Sequence, residues 1–432
     1  MEQTQLKKAL KPIHLWGLAV GLVISGEYFG WNYGWNVAGT VGMLIATLIV
    51  TVLYLAFIFS FTELTTSIPE AGGPFAYAEK AFGPLGGFIA GMATLVEFLL
   101  APPAIAFALG SYLHFLHPAF SVMQVAVASY VIFTIVNCLG IKESAVFSVI
   151  ITILAVGELL LFMGIVAPHF EMKNFMVNPM PFGWGGVFAA LPFAIWLYIA
   201  IEGVAMVAEE VKEPQKTIPK GYIYGILTLV VLAIGVMMTT GGVGNWKMFS
   251  SIDYPLPSAI GYVLGPTSKY TQLFAGLGLF GLVASFHGII TSYGREIFAL
   301  ARDGFLPKFL SSVSKKSRVP VWALIVGSIT GVIALFTGTT DKLITISAMG
   351  ALVMYIISMA ALFTLRRKNP NMERPFKVFW YPVTPVVALV LSVVSLVAMC
   401  WFNVVLSEIF FGFMIVTGGI FWMVHKKRSL GQ

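Results

Sequence analysis

Charged residues are scarce in this sequence, since Asp, Glu, Lys and Arg make up only 10% of its 432 residues. Soluble domains carry about 25% of these residues, so the scarcity excludes a water-soluble domain of ordinary composition. Hydrophobic residues make up 58%, and the mean hydropathy is +0.89. Apolar stretches of about 20 residues, long enough to cross a hydrocarbon core of about 30 Å, recur along the chain. This pattern predicts an all-α polytopic membrane protein.

Cysteine is scarce as well, and no cluster of metal ligands is evident. The two cysteines, Cys138 and Cys400, lie in apolar stretches, which excludes a disulfide framework and a cysteine metal site. The six histidines show no ligand spacing, and no nucleophile and base pair stands out. We therefore expect no metal, no cofactor and no enzymatic activity, and a membrane-embedded enzyme is the disfavoured alternative.

The net charge of +7 does not indicate a nucleic-acid partner, because the basic residues sit in short loops beside apolar spans. Lys and Arg concentrate in cytoplasmic loops of membrane proteins. With both termini cytoplasmic, all but four of the 26 Lys and Arg residues fall on that side. The exceptions are Lys173, Lys247, Lys269 and Lys342. The basic, then apolar, start lacks a small-residue cleavage site, so we expect a retained first span.

Twelve spans are predicted from apolar runs bounded by charge, proline and glycine, within one membrane domain over 1–432. They cover 12–36, 38–62, 84–110, 122–140, 144–167, 184–209, 221–242, 270–298, 320–338, 343–365, 382–401 and 404–425. A segment between the second and third spans, rich in Pro, Gly and aromatics, predicts a short helix packed under the bundle.

The first span is interrupted at Ser25 and Gly26, next to Glu27. Each glycine in a helix costs about 1 kcal/mol relative to alanine. Within a bilayer, opened backbone survives only where protein covers it or where it lines a wet cavity. A carboxylate at this depth costs about 2.5 to 3.5 kcal/mol. The break therefore predicts a cavity, and the cost of the charge predicts a functional role for Glu27, the alternative being a structural carboxylate that caps the turn.

A second interruption is predicted in the sixth span, at Glu202 and Gly203. It lies five spans after the first, so the two broken helices run in opposite directions. This arrangement is typical of inverted repeats with a substrate site between the breaks. We predict one repeat over 12–167, a second over 184–365, and two additional helices over 382–425.

Three further candidate site residues lie within predicted spans. Glu97, in the third span, is expected to line the site, and the role of Glu158, in the fifth span, stays open. Either carboxyl could instead be protonated and bonded between helices. His287, in the eighth span near Ser285 and Thr291, suits a proton relay and a packing residue equally well.

The sequence resembles the amino acid-polyamine-organocation (APC) superfamily of transporters over almost its whole length. The resemblance rests on PEAGGPFAYAEKAFG after span 2, AEEVKEPQKTIPKG after span 6, REIFALARDGFLPKF after span 8 and LFTLRRKNPNMERPFKV after span 10. Four further stretches resemble the bacterial ethanolamine permeases within it: HLWGLAVGLVISGEYFGWNYGW, EFLLAPPAIAFALGSYL, PFAIWLYIAIEGVAMVAEE and GLVASFHGIITSYGRE.

The resemblance implies twelve spans, a five-plus-five repeat and a substrate site at the two breaks. Glu202 matches the glutamate that the superfamily has at its second break, as substrate contact, proton carrier or structural bridge. Trp196 matches an aromatic residue that closes over substrate, and Tyr198 lies beside it. Packing of both in the core or against lipid is the alternative. Tyr28, next to Glu27, completes the expected binding set.

Amino acid carriers of this superfamily hold the substrate carboxylate at the first break, where helix-end partial charge favours an anion. Glu27 would oppose such a carboxylate and would attract an ammonium group. We therefore predict import of ethanolamine by alternating access, with amino acids or polyamines as the alternative substrates.

Proton coupling by the lysine that relatives often have in span 5 is not expected, because our alignment places Ala155 there. If protons are coupled, Glu202, Glu158 or His287 would carry them, since burial disfavours the charged form of a carboxyl. Symport is not required for uptake of a cation, because inward movement gains about 2.3 kcal/mol per 100 mV.

Overall fold

The structure is a computed structural model that describes residues 9–70, 72–140 and 145–430. The backbone of this part is mostly helical. The helices are α1 (Pro12–Val23), α2 (Ser25–Tyr28), α3 (Tyr33–Ser67), α4 (Gly73–Phe82), α5 (Pro84–Leu116), α6 (Val122–Cys138), α7 (Ala145–Val166), α8 (Met172–Phe175), α9 (Gly183–Ala189), α10 (Leu191–Trp196), α11 (Pro214–Val243), α12 (Pro255–Leu264), α13 (Lys269–Arg302), α14 (Val321–Thr337), α15 (Thr340–Lys368), α16 (Val383–Phe402) and α17 (Val404–Leu430). Short 3₁₀ helices cover Ala167–His169, Ile201–Glu210, Trp246–Met248 and Lys308–Ser311.

The predicted all-α polytopic architecture is confirmed. Nine helical segments of the described residues are long and apolar enough to cross a membrane. The other three predicted spans correspond to the shorter apolar helices α1, α6 and α14. The basic side is defined here as the side at which α1 begins, and the other is called the opposite side.

The first break differs in detail from the sequence prediction. After α1, the short helix α2 carries Ser25, Gly26 and Glu27, and the extended residue is Phe29 (φ −163°, ψ 173°). Gly30 follows at φ +94°, in the region that favours glycine. The first break therefore covers 29–32, just after Glu27. Gly26 instead permits close approach, because a Cβ there would lie 2.4 Å from the backbone oxygen of Trp196.

The second break lies before, not at, the predicted Glu202 and Gly203 pair. Helix α10 ends at Trp196, and Ala200 adopts a left-handed conformation (φ 75°, ψ 3°). The 3₁₀ helix of Ile201–Glu210, called the 3₁₀ helix from here on, follows directly. The second break therefore covers 197–200. Gly203 lies inside the 3₁₀ helix, and a Cβ there would meet the side chain of Leu22 at 2.8 Å. Its small size allows the 3₁₀ helix to pack closely on α1.

The short helix predicted between the second and third spans is confirmed as α4. Pro74 opens it, and Gly83, at φ +83°, ends it. Its apolar side chains are buried, with Phe75 1% and Tyr77 0% exposed. Helix α4 packs against α5 and α15, so it covers one end of the bundle beneath the two breaks.

Candidate functional site

Glu27 is a buried residue whose carboxyl group is left unpaired by the described residues. The residue is 0% exposed, and neither carboxyl oxygen accepts a hydrogen bond from the described residues. Its backbone oxygen, by contrast, accepts a bond of 3.1 Å from Nε1 of Trp31. The backbone is therefore fixed while the carboxyl group remains available to a ligand, and a buried ion without a partner is costly.

Trp196 joins the two breaks. Its Nε1 donates a hydrogen bond of 3.0 Å to the backbone oxygen of Phe29. The rings of Trp196 and Phe29 meet edge to face, with centroids 5.6 Å apart. A Cβ on Gly30 would lie 2.4 Å from the Trp196 ring, so only a glycine leaves room for this indole. The structure thus brings Trp196, which precedes the second break in sequence, onto the first break.

Glu97 and Glu202 form a carboxyl pair beside the second break. Both are 0% exposed, and the two carboxyl groups are within electrostatic range of each other. The N–H of Ala200 donates to Glu97 Oε1 at 3.2 Å, and the hydroxyl of Tyr355 donates to Glu202 Oε2 at 3.1 Å. The remaining oxygen of each carboxyl group, Oε2 of Glu97 and Oε1 of Glu202, has no hydrogen-bond partner among the described residues.

Tyr198 lies among aromatic side chains rather than against the carboxyl pair. Its hydroxyl shares a hydrogen bond of 2.7 Å with Thr51, and its ring lies 5.1 Å from that of Tyr54. Tyr54 in turn shares a bond of 2.9 Å with Tyr355. Tyr198 and Glu27 are within electrostatic range of each other, so this aromatic group forms one wall near Glu27.

Glu158 is connected to the first broken helix through Tyr28. The Tyr28 hydroxyl donates to Glu158 Oε2 at 2.8 Å and to the backbone oxygen of Ala155 at 3.3 Å. The position that we aligned with the lysine of relatives, Ala155, therefore contacts α2. The second oxygen of Glu158 has no partner among the described residues. A carboxyl group thus lies one turn beyond the position where relatives have a lysine.

Ser25 and His287 have different surroundings. The N–H of Ser25 donates to Ser285 Oγ at 3.0 Å, and that hydroxyl donates to the backbone oxygen of Gly21 at 2.7 Å. Ser285 therefore ties α13 to the first broken helix. The Nδ1 atom of His287 instead lies 3.0 Å from the amide nitrogen of Asn137 on α6. The structure does not bring His287 to the breaks.

Sequence reasoning missed Tyr355 and Trp31, which bond to the Glu202 carboxyl and the Glu27 backbone, and Tyr54, which bonds to Tyr355. An aromatic residue in an apolar span has no pattern that distinguishes such a contact from core packing. One indirect signal in the sequence was Gly350, five residues before Tyr355 on α15, and in the structure a Cβ there would lie 2.6 Å from the backbone oxygen of Ala93. Small residues commonly mark close helix contacts in membranes.

On the basic side, the site is closed by backbone pairing between the start of α1 and the end of the 3₁₀ helix. The N–H of Ala9 donates to the oxygen of Glu210 at 2.9 Å, and that of Lys212 donates to Leu10 at 3.0 Å. Arg295 of α13 adds an ion pair with Glu210 at 3.2 Å. This contact set is called the basic-side gate.

On the opposite side, Asp253 connects two helices. The Tyr33 hydroxyl donates to Asp253 Oδ1 at 2.8 Å, and the Thr340 hydroxyl donates to Oδ2 at 3.1 Å. Burial raises the pKa of Asp253 to about 6, although both hydrogen bonds act to lower it. Tyr33 also stacks on Phe193 of α10, with ring centroids 6.1 Å apart. This contact set is called the opposite-side latch.

Two broken helices that run in opposite directions and face each other at their breaks are typical of secondary transporters. The family described as amino acid permease matches residues 10–424. The chain therefore belongs to the amino acid permease family, within the APC superfamily.

The names of similar proteins describe transporters of different solutes. An uncharacterised transporter of Rhizobium meliloti is 28% identical over 90% of this chain and 86% of its own. A branched-chain amino acid permease of Bacillus subtilis is 27% identical, and a methylthioribose transporter of the same organism is 26% identical, each over 86% of this chain and 83% of its own. The family supports a transport function, and its members' names differ in substrate.

Proposed function

We propose that the protein imports ethanolamine, a small primary amine without a carboxyl group, by alternating access. The observation that carries this proposal is the Glu27 carboxyl group, buried beside the first break with no hydrogen-bond partner among the described residues. An ammonium group would supply both an opposite charge and up to three hydrogen-bond donors. It would therefore offset the cost of holding a carboxylate at this depth.

The surroundings of Glu27 support a cation over an amino acid. The nearby pair of Glu97 and Glu202 has no positive partner in its hydrogen bonds, which come from Ala200 and Tyr355. A substrate carboxylate would enter a region already rich in carboxyl groups and would be repelled. The indole of Trp196, at the first break, adds an aromatic surface, and such a surface contributes about 0.5 to 2 kcal/mol toward a cation.

The direction of transport follows from the charge of the loops. The basic side is proposed to be cytoplasmic, with both termini on it in a bacterial cell membrane, because Lys and Arg concentrate there. A membrane potential that is negative inside then drives the cation inward by about 2.3 kcal/mol per 100 mV. The carboxyl pair and Glu158 are the proposed proton carriers if uptake is also a symport. His287 is a weaker candidate because its contact with Asn137 lies away from the breaks.

Uptake by the purified protein in liposomes tests this proposal. Radiolabelled ethanolamine, alanine, arginine and putrescine are compared under a negative-inside potential, with and without a pH gradient. Protein-free liposomes measure passive entry of the neutral amine. Uptake of ethanolamine above that background, not inhibited by alanine, is the expected result. Robust alanine transport without ethanolamine uptake would contradict the ethanolamine assignment. It would favour amino acid transport, the function that the names of some relatives suggest.

A further inference from the structure

Glu296 of α13 is a second buried carboxyl group without a partner. The residue is 1% exposed, and neither of its carboxyl oxygens has a hydrogen-bond partner among the described residues. Structural carboxyls in cores are normally hydrogen-bonded or paired. Glu63, equally buried, shows the ordinary case, since its carboxylate oxygens accept two bonds from Arg366. Glu296 lacks the hydrogen bonds that a buried carboxyl group with a purely structural role normally has.

The position of Glu296 on α13 places it between the breaks and the basic-side gate. Ser285, which bonds to Gly21 of α1, lies eleven residues earlier. Eleven residues are about three helical turns, or roughly 16 Å, so both residues are on nearly the same face of the helix. The neighbour of Glu296 in sequence, Arg295, forms the ion pair with Glu210 that belongs to the basic-side gate.

Two carboxyl groups, one on α5 and one at the end of α13, are within electrostatic range of Glu296. Glu97 of α5, in the pair beside the second break, is within electrostatic range. Asp303, at the end of α13 on the basic side, is within range as well. Asp303 in turn interacts with Glu79 of α4 and with Glu70. Carboxyl groups thus follow one another from the second break to the basic side, with Glu296 as the buried intermediate.

We propose that Glu296 is a proton-binding site coupled to the basic-side gate. While the gate is closed, burial without a partner favours the neutral, protonated carboxyl. When the backbone pairing of Leu10 with Lys212 and the ion pair of Arg295 with Glu210 open, water reaches the group. The O–H bond of the carboxyl then breaks, its proton passes to water on the basic side, and a carboxylate is left. A group whose protonation differs between two states links the proton to the conformational change.

This proposal rests on the proposed transport function but not on the identity of the transported solute. The test uses the full chain in liposomes with the membrane potential clamped at zero. Two rates are measured for whichever solute the wild-type protein transports. One is uptake driven by a proton gradient directed inward, with the outside more acidic. The other is exchange of labelled against unlabelled solute without a gradient. If the ethanolamine assignment is wrong, the wild-type protein will transport a different solute. If the proton site is wrong, uptake by the Glu296→Gln variant will still respond to the pH gradient.

Glu296→Gln keeps the size of the side chain and removes its ability to release a proton. We expect it to lose the acceleration by the pH gradient while exchange stays within about twofold of wild type, a small change in free energy. Glu296→Asp retains an ionisable group and should keep part of the acceleration. Glu408→Gln, at an exposed position of α17, is the matched control and should behave as wild type.

Three results would overturn the proposal. One is a wild-type protein whose uptake does not respond to the gradient. The second is a Glu296→Gln protein that responds as strongly as wild type. The third is a parallel loss of exchange and gradient response in Glu296→Gln and in Glu296→Asp, which would make Glu296 a structural or solute-binding residue.

Discussion

The indole nitrogen of Trp196 donates a hydrogen bond of 3.0 Å to the backbone oxygen of Phe29, so the two broken helices are joined directly. Phe29 is extended and 0% exposed, and its carbonyl lies where a continuous helix would have supplied a partner. The bond therefore compensates part of the cost of opening the first helix in a low-dielectric environment.

Trp196→Phe keeps an aromatic ring and removes this donor. Leaving a buried carbonyl unpaired costs about 1 to 3 kcal/mol, so we expect a lower thermal midpoint and weaker solute binding. Both are measured on purified protein, by a melting curve and by radioligand binding. Trp322→Phe, on the exposed surface of α14 at 54% exposure, is the control. Equal melting and binding in the two variants would show that the hydrogen bond does not hold the breaks together.

Gly26→Ala tests the close approach of the two breaks. The added Cβ would meet the backbone oxygen of Trp196 at 2.4 Å, and backbone cannot move aside as a flexible side chain does. We expect a loss of solute affinity and transport because the first and second breaks are pushed apart. Gly164→Ala is the control, since no atom lies within 4 Å of a Cβ at that position of α7. That variant should keep full activity, because alanine is favoured over glycine in a helix.

Tyr28 and Glu158 are predicted to be energetically coupled. Tyr28→Phe removes the bond of 2.8 Å and leaves the Glu158 carboxyl with no hydrogen-bond donor, whereas Glu158→Gln can still accept from Tyr28. A double-mutant cycle with Tyr28→Phe, Glu158→Leu and the double variant measures the interaction, because leucine cannot accept the bond. We expect a coupling of about 0.5 to 3 kcal/mol in stability, and Glu158→Gln alone should be less harmful than Tyr28→Phe. Additive effects in the cycle would contradict a direct contact between these two residues.

The opposite-side latch is predicted to weaken as pH rises. Because burial raises the pKa of Asp253 from 3.8 to about 6, the closed state binds more protons than an unfolded or open one. The stability that this provides is complete below about pH 4 and is lost as pH rises through about 6. The thermal midpoint of wild type minus that of Asp253→Asn should therefore fall over this range and level off above it. A difference that increases over the range would mean that the bonds from Tyr33 and Thr340 outweigh burial.

Glu63 and Arg366 are predicted to stabilise the fold without affecting the site. Arg366 donates two bonds to Glu63, at 2.8 and 2.6 Å, and the N–H of Val378 donates a third at 2.8 Å. Removing one partner of a buried pair costs about 3 to 5 kcal/mol. We expect the lower end for Arg366→Gln, because Arg374 remains 3.4 Å from Glu63. Melting temperature should fall while solute affinity is retained.

Arg367→Gln is the matched control for that prediction, because Arg367 is the exposed neighbour of Arg366. It should melt within a small margin of wild type, since exposed charges contribute about 0 to 1 kcal/mol. Similar melting of the two arginine variants would mean that the buried pair adds little to the fold.

The spans were predictable because the thickness of the bilayer dictates their length, whatever the details of the sequence. The breaks were predictable only approximately, because glycine has two roles that look alike in a sequence. Gly30 adopts a positive φ, whereas Gly26 and Gly203 allow close packing. The breaks predicted at Gly26 and Gly203 are therefore a few residues away from the observed ones. Structure was needed to separate these roles.

The pairing of the buried acids could not be predicted. A membrane helix is apolar on all sides, so its sequence does not show which face meets which neighbour. That Glu97 meets Glu202, and that Tyr28 reaches Glu158, depends on how α5 and α7 are rotated against the two broken helices. The candidate residues were chosen on the cost of burying a charge, which identifies the acids but not their partners.

The central claim is that Glu27 is the counter-ion of an ammonium substrate. Its most direct test is the affinity of purified protein for radiolabelled ethanolamine in wild type, Glu27→Gln and the control Glu408→Gln. A hydrogen bond to a charged group contributes about 1.5 to 3 kcal/mol, so Glu27→Gln should bind roughly 10- to 150-fold more weakly while melting at or above the wild-type temperature. Ethanolamine affinity close to wild type in a folded Glu27→Gln protein would contradict the account.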